Sequence, residues 1–204
     1  MKYLDKIDKK AKNISAVNTI VIKNKTLIGY NTDCDGAIQA LKEKTDLKGK
    51  NIVVLGAGGS SRAIVYGLRQ ENAKVSILNR TVKKARIIAE DFNCGCGSLN
   101  DLKNIDYDIL INTTSVGMYP NIHSCITELN MIKNDTIVFD MVFNPYKTKL
   151  LQYAEQKNCT IIPGFEMLIN GANLQFELWT GKKAPLQLMR KKVLDYLKNA
   201  SHQN

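Results

Sequence analysis

The sequence predicts an α/β protein centred on a parallel sheet with helices on both faces, preceded by a smaller α/β unit. Three observations predict it. Short apolar runs at 51–55, 74–78, 108–112 and 136–140 alternate with helical stretches at 60–70, 82–92 and 147–156. Strands that are apolar at almost every position are those buried on both faces, as in a doubly wound sheet. The first of these strands runs straight into Gly56-Ala57-Gly58-Gly59 and then into an amphipathic helix, the strand–turn–helix order of a nucleotide-binding unit. Ahead of Lys44 the pattern is different, with two short strands, 19–22 and 26–30, separated by Lys23-Asn24-Lys25 as a hairpin turn.

The remaining elements follow in order. Residues 5–14 are polar and helix-compatible, and 36–44 reads as a helix after Asn31-Thr32-Asp33. A fifth apolar strand is expected at 160–163, and the segments 165–179 and 185–198 carry apolar residues at helical spacing. The chain therefore divides at 1–43, 44–164 and 165–204: a small leading unit, a Rossmann-type sheet, and carboxyl-terminal helices.

Composition narrows the function class. The 204 residues are 44% hydrophobic, enough for a core and far from the composition of a disordered chain. No apolar run approaches the roughly 18 residues that span a bilayer, and no apolar stretch follows Met1-Lys2-Tyr3-Leu4-Asp5, so a cytoplasmic protein with no membrane partner is expected. The net charge of +10 suits acidic partners, but the lysines are scattered and not interleaved with aromatics, which argues against a nucleic-acid platform. Five cysteines with no Cys-x-x-Cys pair, and two histidines, exclude a zinc site or a disulfide framework. No metal is expected.

The glycine turn carries the first functional reading. Gly56 permits the tight turn, Gly58 and Gly59 let backbone amides approach a pyrophosphate, and the helix amino terminus at Ser60-Ser61 supplies unpaired N–H groups. Ala57 lies within the same turn. Glycines also make ordinary turns, so context decides, and here the context is a buried strand followed by a helix. The end of the second strand selects the nucleotide. A carboxylate there binds the 2′-hydroxyl of NAD, whereas this chain has Asn79-Arg80-Thr81. Arg80 suits the 2′-phosphate of NADP, with Asn79 and Thr81 as hydrogen-bonding neighbours. Thr81 also suits a plain helix cap.

Several segments together resemble the shikimate dehydrogenases: Ala16-Val17-Asn18-Thr19, Gly29-Tyr30-Asn31-Thr32-Asp33, the glycine turn through Arg62, Asn79-Arg80-Thr81, residues 112–118, Asp140-Met141-Val142, and 164–181 ending in Glu177-Leu178-Trp179-Thr180-Gly181. The resemblance implies NADP-dependent interconversion of shikimate and 3-dehydroshikimate in aromatic amino-acid (chorismate) biosynthesis. It implies a cleft between a substrate domain and the NADP domain. Asn18 and Asp33 would touch the hydroxyls of shikimate, with Asp33 part of the catalytic pair. Thr113, Thr114, Ser115, Val116 and Met118 would line the nicotinamide side, together with Met141, Gly164 and Met167.

The departures from the family pattern are as informative. The family's serine pair for the substrate carboxylate and its Asn-Val-Thr-x-Pro-x-Lys motif, whose lysine is the usual acid/base, do not occur here. The chain thus resembles a member lacking the amino-terminal part of the substrate domain. This leaves open a catalytically silent NADP-binding module, a homodimer, or pairing with a separately supplied amino-terminal half; a quinate-using variant is a further alternative. The family tyrosine is Phe143, the family glycine is Glu166, which would add a carboxylate beside the nicotinamide, and the family glutamine is Gly171. Gln175 lies one turn further on and is a candidate substitute.

Overall fold

The computed structural model describes residues 1–200, and of 198–200 the backbone only. The chain opens with strand β1 (Lys6–Ile7), helix α1 (Lys9–Ile14), strands β2 (Thr19–Lys23) and β3 (Thr26–Tyr30), and helix α2 (Asp33–Lys42). β2 and β3 are antiparallel, joined through Asn24 and Lys25, both with left-handed φ (49° and 61°). Such turns match the right-handed twist of the flanking strands, and asparagine tolerates this backbone region. β1 pairs parallel with β3, giving a sheet ordered β1-β3-β2.

Then come β4 (Asn51–Leu55), α3 (Gly59–Gln70), β5 (Lys74–Leu78), α4 (Val82–Phe92), β6 (Gly95–Gly97), β7 (Ile109–Asn112), β8 (Ile137–Asp140), α5 (Lys149–Gln156), β9 (Thr160–Pro163), α6 (Phe165–Thr180) and α7 (Leu186–Ala200). The second sheet is parallel throughout, in the order β6-β5-β4-β7-β8-β9. Alternate residues feed two cores. Ile52 and Val54 of β4 pack with Ile64, Val65 and Leu68 of α3, while Val53 and Leu55 belong to the core that holds Leu150, Leu151 and Ala154 of α5. This both-face burial is the reason the strands lack polar alternation.

Three expectations are corrected. The segment 5–14 is not one helix: Lys6–Ile7 forms a strand, with Asp8 as the cap that accepts from the Lys10 N–H at 2.9 Å. The helix expected from Gly36 begins at Asp33, because Asn31 accepts from the Cys34 N–H and closes the turn earlier. The short strand Gly95–Gly97 has no counterpart among the expected elements; it pairs parallel with β5, Ser76 to Leu78.

α2 packs against α6 at close range. A Cβ built on Gly36 would stand 2.8 Å from the Gly171 nitrogen and from the Met167 carbonyl, so only glycine lets the helices approach this closely. That approach joins the leading unit to the carboxyl-terminal helix over the ends of the parallel strands.

Candidate active site

The strand order reverses at β4, whose neighbours are β5 on one side and β7 on the other. Ligands of open α/β sheets bind at such a switch point, beyond the carboxyl ends of the strands. Here the turn after β4 meets the loop after β7. Gly56 has φ +112°, and a Cβ on it would stand 2.7 Å from both Thr113 Oγ1 and Thr114 Cγ2. Thr113 Oγ1 donates to the Leu55 carbonyl at 2.8 Å and ties the two loops together.

The residues present fit a pyrophosphate. Gly58 and Gly59 are exposed, and a Cβ on either would meet no heavy atom within 4 Å. Gly58 is the N-cap of α3 and offers no side chain, so the first-turn N–H groups have no side-chain acceptor. An open helix amino terminus of this kind favours an anion. Ala57 is half-buried against the core. Ser61 is fully buried and its hydroxyl donates to the Gly56 carbonyl at 2.8 Å, so its side chain braces the turn from behind.

At the end of β5, Asn79 donates from Nδ2 to the Thr81 carbonyl at 2.9 Å and shapes the turn. Thr81 is the N-cap of α4, but its hydroxyl makes no cap hydrogen bond. Arg80 is exposed and makes no hydrogen bond or ion pair among the described residues. A guanidinium left in this position is free for a phosphate.

Beside the turn lies a cavity of about 320 Å³. It gathers Asp33, Ser60, Thr113, Thr114, Ser115, Met118, Met141, Gly164, Met167 and Gln175 from stretches far apart in sequence. Val116 is half-buried in the loop below and donates its N–H to Thr114 Oγ1 at 3.2 Å. Phe143 and Gly171, the positions where the family tyrosine and glutamine are replaced, line the cavity too, and Val142, Leu168 and Ala172 do so beyond the contacts expected from the sequence. Counting helical spacing outward from Met167 finds the last two, since 167, 168, 171, 172 and 175 share one face of α6.

Asp33 is the one ionisable residue among the described residues lining this cavity. It is not the cap of α2, a position held by Thr32. Its Oδ1 accepts from Asn18 Nδ2 at 2.6 Å, and desolvation raises its pKa above the usual carboxylate range, with the Asn18 hydrogen bond opposing that rise. Asn18 is held in turn: its Oδ1 accepts from the Thr32 N–H at 2.9 Å. Gln175 donates from Nε2 to Thr19 Oγ1 at 3.1 Å and Thr32 Oγ1 at 3.2 Å, so α6 braces the same loop. Glu166 does not face the cavity, contrary to expectation. Its carboxylate is gripped by Arg190 of α7 at 2.6 and 2.5 Å, which turns the charge away.

A larger cavity of about 680 Å³ lies across α2, where Lys10 and Asp35 pair at 2.6 Å. It touches neither the glycine turn nor the loops after β7 and β8. Among the described residues no cluster of His, Cys, Asp or Glu could hold a metal ion, and no helix is long and apolar enough to cross a membrane.

The chain is similar to known proteins in sequence and in fold. A family model described as shikimate / quinate 5-dehydrogenase matches residues 39–143, and one for the shikimate 5'-dehydrogenase C-terminal domain matches 164–194. The shikimate dehydrogenase (NADP(+)) of Methanococcus aeolicus is 45% identical over 97% of this chain and 74% of its own length. A crystal structure of a shikimate dehydrogenase in complex with NADP+ superposes with a TM-score of 0.91 at 40% identity, covering 97% of this chain and 72% of that one. The Thermus thermophilus enzyme, solved with NADP(H) and shikimate, gives a TM-score of 0.88 at 31% identity over 95% of this chain and 73% of that one. The glycine turn, the loops after β7 and β8 and the Asn18–Asp33 pair thus stand within a sequence and a fold shared along nearly the whole chain, which belongs to the shikimate dehydrogenase family.

Proposed function

We propose that this chain is an oxidoreductase that binds NADP across the switch point and interconverts shikimate and 3-dehydroshikimate in the adjoining cavity. The observation that carries the reading is the cavity itself: one space is walled by Asp33 and Gln175 on one side and by the loops after β7 and β8 on the other. The segments divide accordingly, with 1–43 and 165–200 forming the substrate side and 44–164 the cofactor side; residues 201–204 of the expected last segment lie outside the described residues.

On this reading the backbone of Gly56–Ser61 cradles the pyrophosphate, and Asn79, Arg80 and Thr81 bind the 2′-phosphate. Thr113, Thr114, Ser115, Val116, Met118, Met141, Gly164 and Met167 form the slot for the nicotinamide, which supplies the hydride acceptor when bound. Asn18 and Asp33 orient the reacting hydroxyl of the substrate. Asp33 would take the proton that this hydroxyl gives up on oxidation to the ketone. Burial favours this, because a carboxylate with a raised pKa is a better base. Gln175 adds a hydrogen-bonding group from α6.

The test is shikimate-dependent NADPH formation by the purified chain. Turnover that Asp33→Asn lowers by about 10²-fold or more supports the reading. Bound NADP without turnover would instead favour a silent NADP-binding module, in which Asp33, the one ionisable group lining the cavity among the described residues, does not suffice for catalysis.

A further inference from the structure

We propose that Asp140 is a positioning residue for the cofactor cleft, a buried carboxylate that pins the loop after β7 to the loop after β8. The inference rests on the reading that this cleft holds the dinucleotide. Asp140 ends β8 and Asn112 ends β7, and the two are register partners in adjacent parallel strands. Both are 0% exposed. An ionisable group in such a place is costly unless its hydrogen bonds are complete, and an apolar residue would fill the same space at less cost.

The hydrogen bonds show what the carboxylate does. Its Oδ1 accepts from Asn112 Nδ2 at 2.9 Å and from the Val142 N–H at 3.0 Å. Its Oδ2 accepts from Thr148 Oγ1 at 2.6 Å. A carboxylate only accepts, so it fixes which way the Asn112 amide points. With Nδ2 held by Asp140, Asn112 Oδ1 must face the other way. There it accepts from the Thr114 N–H at 3.0 Å and Thr114 Oγ1 at 2.7 Å, and Thr114 Oγ1 accepts from the Val116 N–H. One buried group thus orients Thr114 through Asn112 and Val142 directly.

These are the loops that shape the cleft. The first supplies Thr113, Thr114, Ser115 and Met118 to the cavity wall, and the second supplies Met141, Val142 and Phe143. A further backbone bond, Tyr119 N–H to the Asn144 carbonyl at 3.0 Å, ties them beyond the pin. Asp140 itself does not line the cavity, so its effect reaches only the part of the cofactor that these loops touch.

Two probes separate positioning from general stability. NADPH, read by its dihydronicotinamide fluorescence, senses the loops, whereas adenosine 2′,5′-bisphosphate occupies only the adenine end. Asp140→Ala should weaken NADPH by about tenfold and leave the bisphosphate within about twofold. Asp140→Asn, which keeps an acceptor for Asn112 and Val142 and can donate to Thr148, should bind both within about threefold of wild type. Should the alanine variant fail to fold, Thr148→Val removes both the hydroxyl donor to Asp140 and the cap that accepts from the Leu151 N–H of α5; the lost cap lowers stability, and the lost donor should weaken NADPH alone, by a smaller factor. Equal weakening of both probes, or of neither, in Asp140→Ala or Thr148→Val overturns the proposal. A wild-type chain that binds neither probe overturns the cofactor reading, and this proposal with it.

Discussion

In the six-stranded sheet, β7 is buried at every position and β4 at all but its first. In the three-stranded sheet, Ile20 is 49% and Ile22 72% exposed, and β3 has only Gly29 fully buried. The six-stranded sheet anchors its loops by packing between two cores, with the buried Asp140–Asn112 pair as one polar pin at the strand ends. The three-stranded sheet positions Asn18 and Asp33 by a chain of polar contacts through Thr19, Thr32 and Gln175. The cofactor side of the cleft is therefore tied to the stability of the fold. The substrate side is tied to a few hydrogen bonds.

The contrast is broken most directly by truncating one apolar residue in each sheet. Phe139→Ala in β8, where the side chain is 0% exposed, should cost about 3–5 kcal/mol, whereas Ile22→Ala should fall within about 0.5 kcal/mol of wild type. Denaturant unfolding of the two variants checks this, and similar losses would abolish the distinction.

Asp140 gives the next largest effect. Burial raises its pKa from 3.8 to about 6, against the hydrogen bonds of Thr148, Val142 and Asn112. A carboxyl group whose pKa is raised on folding holds its proton longer in the folded state, so the native chain loses stability as pH climbs from about 4 through 6. Asp140→Asn lacks this titration. Relative to that variant, the wild type should lose on the order of 2–3 kcal/mol between pH 4 and pH 7. Cys125, raised by burial first and in small part by the Asp140 charge, titrates above this window. A constant difference across the range would contradict the assignment.

Arg80→Ala should weaken NADP by about 10–100-fold while leaving NAD nearly unchanged, since only the 2′-phosphate is lost as a partner. Equal weakening of both cofactors, measured by calorimetry, would remove Arg80 from that role. Smallest is Gln175→Leu, which deletes the brace to Thr19 and Thr32. The expected result is a rise of up to about tenfold in the KM for shikimate with NADP affinity intact. A loss confined to NADP would place Gln175 on the wrong side of the comparison.

Much of this was legible in the sequence for the same reason that the two sheets differ. Buried parallel strands are apolar at consecutive positions, and β4, β5 and β9 stand where that pattern places them. Two- and three-residue strands such as Lys6–Ile7 and Gly95–Gly97 carry no period and are defined by their backbone pairing with β3 and β5. The glycine turn and the Asn-Arg-Thr segment were readable because their chemistry is local. The direction of Glu166 was not, because it is decided by Arg190 across a helix pair. The pin at Asp140 was equally hidden: a carboxylate at the end of a strand shows its partners only once Asn112 and Thr148 are brought beside it.

The most direct test of the central claim is a structure of the chain with NADP and shikimate bound together, using Asp33→Asn to prevent turnover. The account expects shikimate in the cavity between Asn18, position 33 and Gln175, with the nicotinamide against Thr114, Ser115 and Met167 and the 2′-phosphate on Arg80. Shikimate bound elsewhere, or a cofactor whose nicotinamide lies outside this cavity, would contradict it.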